Sequence, residues 1–225
     1  MQDQRAELDW RDGDVPVSTR FDDPYFSLEN GLEETRHVFL AGNGLPARFR
    51  NGFHVAELGF GTGLNFLTTL KAFRDHGTQG KLSFTSFEAF PMAMEDLPRA
   101  VRVFPDLPID VFEGDADTAT LTPLIHGPDF ELHLIIGDAR QTLPVWDGLA
   151  DAWYLDGFSP AKNPELWDAD LMAEVGAHTV IGGTAATYTA AGFVRRGLAE
   201  AGFDVTRQPG YGRKRHMTTA RKPNP

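Results

Sequence analysis

One short run constrains this chain more than any other: Glu57-Leu58-Gly59-Phe60-Gly61-Thr62-Gly63-Leu64. It joins an apolar segment, residues 53–58, to a segment with helical spacing, residues 64–76, whose Leu64, Phe66, Leu67, Leu70 and Phe73 are apolar. A short apolar run that stops at glycines reads as a buried parallel strand. Glycines after such a strand allow a tight turn and let backbone N–H groups approach a ligand. The start of the following helix favours a carboxylate or a phosphate there. A purely structural turn has the same sequence. The dinucleotide fingerprint does not match, because Leu64 stands where its last glycine belongs.

The same alternation continues. Residues 82–88, 132–136 and 151–155 read as strands, and 92–104 and 164–178 as helices. Gly182-Gly183 precedes a strand at 184–189 and a helix at 190–201 that ends at Gly202. Residues 203–207 and 216–220 read as two closing strands joined by a short connection. Strands alternating with helices predict an α/β fold with a mostly parallel sheet and an antiparallel edge hairpin. Residues 105–130 contain four prolines and predict an inserted loop or hairpin. The domain reading is an N-terminal extension over 1–50 packed on the core, with a short helix around Leu32 to Leu40, a Rossmann-like domain over 51–220, and a tail over 221–225.

The chain has 225 residues and no cysteine, which excludes disulfides, a Cys-ligated zinc and a cysteine nucleophile. Its seven histidines show no metal-ligand spacing, so no metal is expected. The N-terminus is polar and mixed in charge, unlike a signal peptide, and no apolar run approaches the ~18 residues of a membrane span. A soluble, cytoplasmic protein with no membrane partner is expected. Net charge is −11, which argues against general nucleic-acid binding. Residues 193–222 nevertheless hold eight Lys or Arg and two acids. Such a patch suits a phosphate backbone as well as it suits a solvated surface.

Acids stand where predicted strands end. Glu88 can accept hydrogen bonds from ribose hydroxyls, and Asp138, after Gly137, from an adenine amino group. Asp156 opens Asp156-Gly157-Phe158-Ser159-Pro160. It can hold a substrate amine, and Phe158 can wall a pocket or stack on a flat ring. Ligands of open α/β sheets sit at the carboxyl ends of strands, so the coincidence of these acids with the glycine turn points to one site.

Acid-x-Gly-x-Gly-x-Gly resembles motif I of class I S-adenosylmethionine-dependent methyltransferases. Longer stretches resemble one family in particular, the methyltransferase half of the bacterial bifunctional tRNA 5-methylaminomethyl-2-thiouridine biosynthesis proteins and their stand-alone relatives. They are Phe21-Asp22-Asp23-Pro24-Tyr25-Phe26-Ser27, Asn30-Gly31-Leu32-Glu33-Glu34-Thr35-Arg36, and Gly59 through Leu67. Ser86-Phe87-Glu88 and Leu155 through Pro164 follow, then Ala191 through Leu198 and Gly210 through Arg215. Together they run from about residue 14 to about 219.

The resemblance implies the class I methyltransferase fold. It also implies methyl transfer from S-adenosylmethionine to the exocyclic amine of 5-aminomethyl-2-thiouridine at the tRNA wobble position. It implies that Glu57, Gly59, Phe60, Gly61, Gly63 and Leu64 hold the methionine end of the cofactor, Glu88 the ribose and Asp138 the adenine. Asp156 would orient the amine and Phe158 lie against cofactor or base, with Tyr25, Asn30 and Glu34 closing the pocket. Lys162, Arg195, Arg196, Arg213, Lys214 and Arg215 would meet tRNA. No oxidase half is present in this sequence, so a separate oxidase or other enzyme would supply the aminomethyl group. The segment 105–130 matches poorly. An alkylamine has a pKa of about 10.4, and Asp156 near its reference value is a weak base, so positioning is expected to outweigh proton abstraction. Methyl transfer to another amine, a nicotinamide oxidoreductase, and a catalytically silent tRNA-binding module remain open.

Overall fold

The computed structural model describes residues 5–11, 14–26, 30–112 and 124–224. Ser27 of one resembling stretch, residues 113–123 of the segment 105–130, and residue 225 of the tail lie outside these.

The N-terminal segment builds a small antiparallel sheet from β1 (Leu8–Arg11), β2 (Val15–Ser18) and β3 (Asp23–Pro24). Asp14 and Asp22 take left-handed backbone at φ 58° and 46°, which a short side chain able to bond its own backbone tolerates. Next come α1 (Gly31–Thr35), a wider π-turn over Arg36–Leu40 and a tight turn over Ala41–Asn43. These bury Val38, Phe39 and Leu40.

The main body alternates as predicted. Its elements are β4 (Phe53–Leu58), α2 (Leu64–Asp75), β5 (Leu82–Glu88), α3 (Leu97–Val101), β6 (Leu124–His126), β7 (Phe130–Ile136), α4 (Ala139–Thr142) and β8 (Ala150–Leu155). Then come α5 (Ala169–Ala177), β9 (Thr179–Thr187), α6 (Gly192–Glu200), β10 (Asp204–Pro209) and β11 (His216–Arg221). The sheet order is β10-β11-β9-β8-β4-β5-β7-β6. The five strands from β9 to β7 run parallel. β11 is antiparallel to β9, β10 to β11, and β6 to β7.

Each central strand feeds two cores. On β4, Phe53 and Val55 face one way, with Phe66, Leu67, Leu70 and Phe73 of α2. Ala56 and Leu58 face the other way, with Trp153, Trp167 and Leu171. A strand covered on both faces needs apolar residues at both parities, which explains the unbroken apolar runs. Glu57 and Ser86 break that rule, and both lie on the α2 side.

Three elements differ from expectation. The helix predicted over 92–104 is one short turn, α3. The helix predicted over 164–178 breaks at Asp168, which turns extended (ψ 162°) and caps α5 by accepting from the Leu171 N–H at 2.7 Å. β9 does not begin after Gly182-Gly183 but runs through them. Gly182 sits at φ +74° and the pairing with β8 slips between Ala150 and Ala152, the signature of a bulge.

Candidate active site

The strand sequence reverses direction in space at β4, because β5 and β7 lie to one side of it and β8 and β9 to the other. At such a switch point the loops after the two central strands diverge and leave a crevice at their carboxyl ends. Here a cleft of about 1360 Å³ opens there. That is large enough for a nucleoside cofactor together with part of a substrate.

Its floor is the contact between two loops. The Asp156 N–H donates to the Leu58 carbonyl at 3.1 Å, and the Gly59 N–H to Phe87 at 2.9 Å. Gly59 has φ +90°, and a Cβ there would lie 2.2 Å from the Asp156 carbonyl oxygen. Only glycine lets the two loops meet. Gly61 is similarly close to the Tyr25 ring, with a Cβ contact of 3.1 Å.

Gly59, Phe60, Gly61, Leu64, Glu88, Asp138, Asp156, Phe158, Tyr25, Asn30, Glu34, Lys162, Arg213 and Lys214 all line the cleft. Glu88 accepts from the Gly61 N–H at 3.0 Å and the Phe90 N–H at 2.8 Å, which bends the glycine loop over β5. Asp138 caps α4 and is held by Arg140, whose Nη2 lies 2.6 Å away. That guanidinium holds the Asp138 carboxyl below its usual range. Lys162 is engaged by the Asp22 carbonyl and by Asp23, and Lys214 by Glu34 at 2.6 Å. Two ion pairs thus fasten the N-terminal segment across the front of the cleft.

Some predicted residues lie elsewhere. Glu57 is fully buried and does not reach the cleft; its carboxylate accepts from Asn65 at 2.8 Å and Ser86 at 2.7 Å. Burial pushes its pKa well up. Gly63 is the N-cap of α2 at φ +76° and packs on Phe112 and Phe60 rather than on the cleft. Arg195 and Arg196 lie on α6, away from the lining, and Arg215 is exposed on the turn after β10 without lining the cleft. Phe158 does wall the cleft, but one stacking partner is already present: Phe21, at a ring-centroid distance of 4.5 Å.

Asp156 also differs from its predicted chemistry. Burial raises its pKa from the ordinary aspartate value to about 6, against the lowering effects of Asn65 and Lys214. It is therefore a better proton acceptor than an ordinary aspartate. Its loop is pinned from outside: the Tyr188 hydroxyl donates to the Gly157 carbonyl at 2.6 Å and the Trp167 indole to the Phe158 carbonyl at 3.0 Å.

Sequence reading missed Asn65, Tyr188 and Arg140. Asn65 carried a usable signal, since a lone amide among apolar residues at the start of a buried helix must find partners. Among the described residues no cluster of His, Asp or Glu could hold a metal ion, and no helix is long and apolar enough to cross a membrane.

A sequence model of a family described as S-adenosyl-L-methionine-dependent methyltransferase matches residues 119–223. The chain is 44% identical over 225 residues to the tRNA 5-methylaminomethyl-2-thiouridine biosynthesis bifunctional protein MnmC of Stutzerimonas stutzeri, covering 95% of this chain and 34% of that protein. The protein of the same name from Caulobacter vibrioides is 45% identical, over 97% of this chain and 38% of its own length. The chain thus spans little more than a third of the curated relatives it matches. The crystal structure of MnmC2 from Aquifex aeolicus superposes with a TM-score of 0.77 at 25% identity, covering 98% of this chain and 71% of that one.

The cleft fits the family's cofactor. Its glycine floor excludes side chains where a ligand must pass close to the backbone. Its carboxylates suit the diol and amines of an adenosylated amino acid.

Proposed function

We propose that this protein adds a methyl group to the exocyclic amine of 5-aminomethyl-2-thiouridine at the wobble position of tRNA. The observation that carries the reading is Asp156, which lines the cleft at the switch point, against the glycine floor, with its pKa raised to about 6. The relatives' names supply the substrate class. In this reading residues 1–50 are an extension that closes a methyltransferase domain of 51–220, working in the cytoplasm where tRNA is found. The primary amine is the product of a preceding reaction, carried out by an oxidase or another enzyme.

S-adenosylmethionine would supply an electrophilic methyl carbon. The Gly59–Gly61 turn and Leu64 would hold its methionine end, Glu88 its ribose and Asp138 its adenine. Glu57 acts through Asn65 rather than by contact. Tyr25, Asn30 and Glu34 form the front wall, and Phe21, Tyr25 and Phe158 make an aromatic side for a base taken out of the anticodon stack.

Asp156 accepts hydrogen bonds from the amine and so fixes where its lone pair points. As the C–N bond would form and the sulfonium's methyl C–S bond break to leave a neutral thioether, positive charge would pass to the nitrogen beside the carboxylate, which would stabilise it. With the carboxyl at about 6 and an alkylammonium near 10.4, the gap is still roughly four powers of ten. Orientation and charge stabilisation therefore remain the main contribution, and the raised pKa makes Asp156 a competent acceptor of the proton the product sheds.

Nucleoside mass spectrometry tests the proposal directly. tRNA bearing 5-aminomethyl-2-thiouridine, incubated with the protein and S-adenosylmethionine, should gain one methyl on that nucleoside. Retained cofactor binding with no gain would send the search to other amines.

The cationic rim is the second part of the reading. Arg213 and Lys214 line the mouth, Arg215 follows them on the same turn, and Arg195 and Arg196 lie on α6. Among the described residues none of the four arginines has a carboxylate partner, whereas Arg36, Arg50, Arg74, Arg99 and Arg140 do. Replacing Arg213 and Arg215 by glutamate should weaken tRNA binding by about tenfold or more and flatten the slope of log affinity against log salt by about 2. An unchanged slope in filter-binding titrations would remove these residues from the interface.

A further inference from the structure

Asn65 stands at the start of α2, 5% exposed, with its side chain turned toward β4 and β8. A primary amide has two N–H donors and one carbonyl acceptor. All are used inside the protein. Nδ2 donates to Glu57 Oε1 at 2.8 Å and to Asp156 Oδ2 at 2.7 Å, and Oδ1 accepts from the Thr35 hydroxyl at 3.0 Å. The other Glu57 oxygen accepts from Ser86 at 2.7 Å.

Turned over, the Asn65 amide would place its carbonyl against the Asp156 carboxylate and withdraw the donor that Glu57 and Asp156 share. Thr35 is the last residue of α1 and is buried, and its hydroxyl, able to donate or accept, donates to the carbonyl in this orientation and so satisfies it. Asn65 thereby takes up Asp156 Oδ2. Among the described residues Oδ1 has no hydrogen-bonding partner, so it is the oxygen left for an incoming amine.

We propose that Asn65 is a positioning residue for Asp156, and that Thr35, on the N-terminal segment, anchors its amide in that orientation. The proposal rests on the role given to Asp156 above. It makes the front wall part of the acceptor's own hydrogen-bond network and not only a cover for it.

The other charged or titratable groups around Asp156 are Glu57 on β4, Glu34 on α1, Lys214 on the turn between β10 and β11, and Tyr188 after β9. Glu34 and Lys214 pair with each other, so their effects on Asp156 oppose. Asn65 is the neutral donor that directly offsets the desolvation of the carboxylate. Weakening it should move the Asp156 titration upward.

Asn65→Leu strips a donor from two carboxyl groups at once, one of them fully buried, and endangers folding, so Thr35→Val and Thr35→Ser carry the test. The apo protein, labelled with 13C at aspartate carboxyls, is titrated by NMR, with Asp156 assigned by its loss in Asp156→Asn. Thr35→Val should raise the Asp156 midpoint by about 0.5 or more, and Thr35→Ser should restore it. In methyl transfer the acid limb should move with the midpoint, and kcat should fall severalfold while the KM for S-adenosylmethionine stays within about twofold. A folded Thr35→Val protein with an unmoved Asp156 midpoint would overturn the proposal. The titration needs no turnover. A wild-type protein inactive on tRNA therefore fails the substrate reading alone, and the NMR result still decides this one.

Discussion

Asp156→Asn is expected to lower kcat for methyl transfer by about 10²–10³-fold, the usual loss for one charge-stabilising group. S-adenosylmethionine binding should stay within a few-fold, measured by calorimetry. The pH profile gives the sign. Below about 6 the wild-type carboxyl is protonated and cannot accept from the amine; above it, it is ionised. kcat/KM should therefore rise through pH 6, and the asparagine variant should lack that limb. Stability moves the other way. A carboxyl raised above its unfolded value contributes stability below the unfolded pKa, near 3.8, and loses it as pH rises through about 6. Asp156→Asn should thus stabilise the fold above pH 6 by about 1–2 kcal/mol, after allowing for water in the open cleft, or about 2–8 °C in Tm. The gain should shrink toward pH 4. A variant no more stable than wild type at pH 7.5 would show that the carboxylate is not desolvated in the folded protein.

Gly59→Ala is expected to be the most disruptive single methyl group in the site. It forces a side chain into left-handed backbone at φ +90° and places Cβ 2.2 Å from a backbone oxygen that cannot swing aside. The loops after β4 and β8 must separate, at a cost of roughly 2–4 kcal/mol and the loss of most cofactor affinity. Gly52→Ala is the matched control: φ is +69°, but nothing lies within 4 Å of the added Cβ. It should cost about 1 kcal/mol, the backbone part alone. Urea unfolding of the two variants separates collision from conformation. Equal losses would mean that the loops are not in contact.

The parallel strands and the glycine turn were legible because burial on both faces leaves unbroken apolar runs, and few sequences serve a turn that tight. β4 and β5 form at the residues read for them, and α2 within one residue. Failures came where a local signal had two meanings. Gly182-Gly183 read as the approach to a strand at 184–189 and is a bulge inside β9. Residues 164–178 kept helical spacing across Asp168, which caps a new helix. The N-terminal sheet escaped notice because its strands are two to four residues long and their pairing is set by two aspartates at positive φ.

For the site, the acids at the ends of β5, β7 and β8 could be placed because strand ends of a parallel sheet share one edge. What they do could not be read, since it depends on contacts between segments far apart in the chain. Glu57 looked like part of the loop motif, but strand parity turns it beneath α2. Asp156 looked ordinary until its enclosure by Asn65, Glu34 and Lys214 was known.

β11 lies between β9 and β10, and among the described residues β10 pairs with β11 alone. On the ribosome, then, residues 204–209 emerge before the strand they need, while β9 presents a bare edge. That side of the sheet is completed by two strands arriving together, and a chain halted before His216 forfeits both. The same hairpin carries Arg213 and Lys214 to the mouth of the cleft. The entrance is thus completed only after β4 to β9 have emerged.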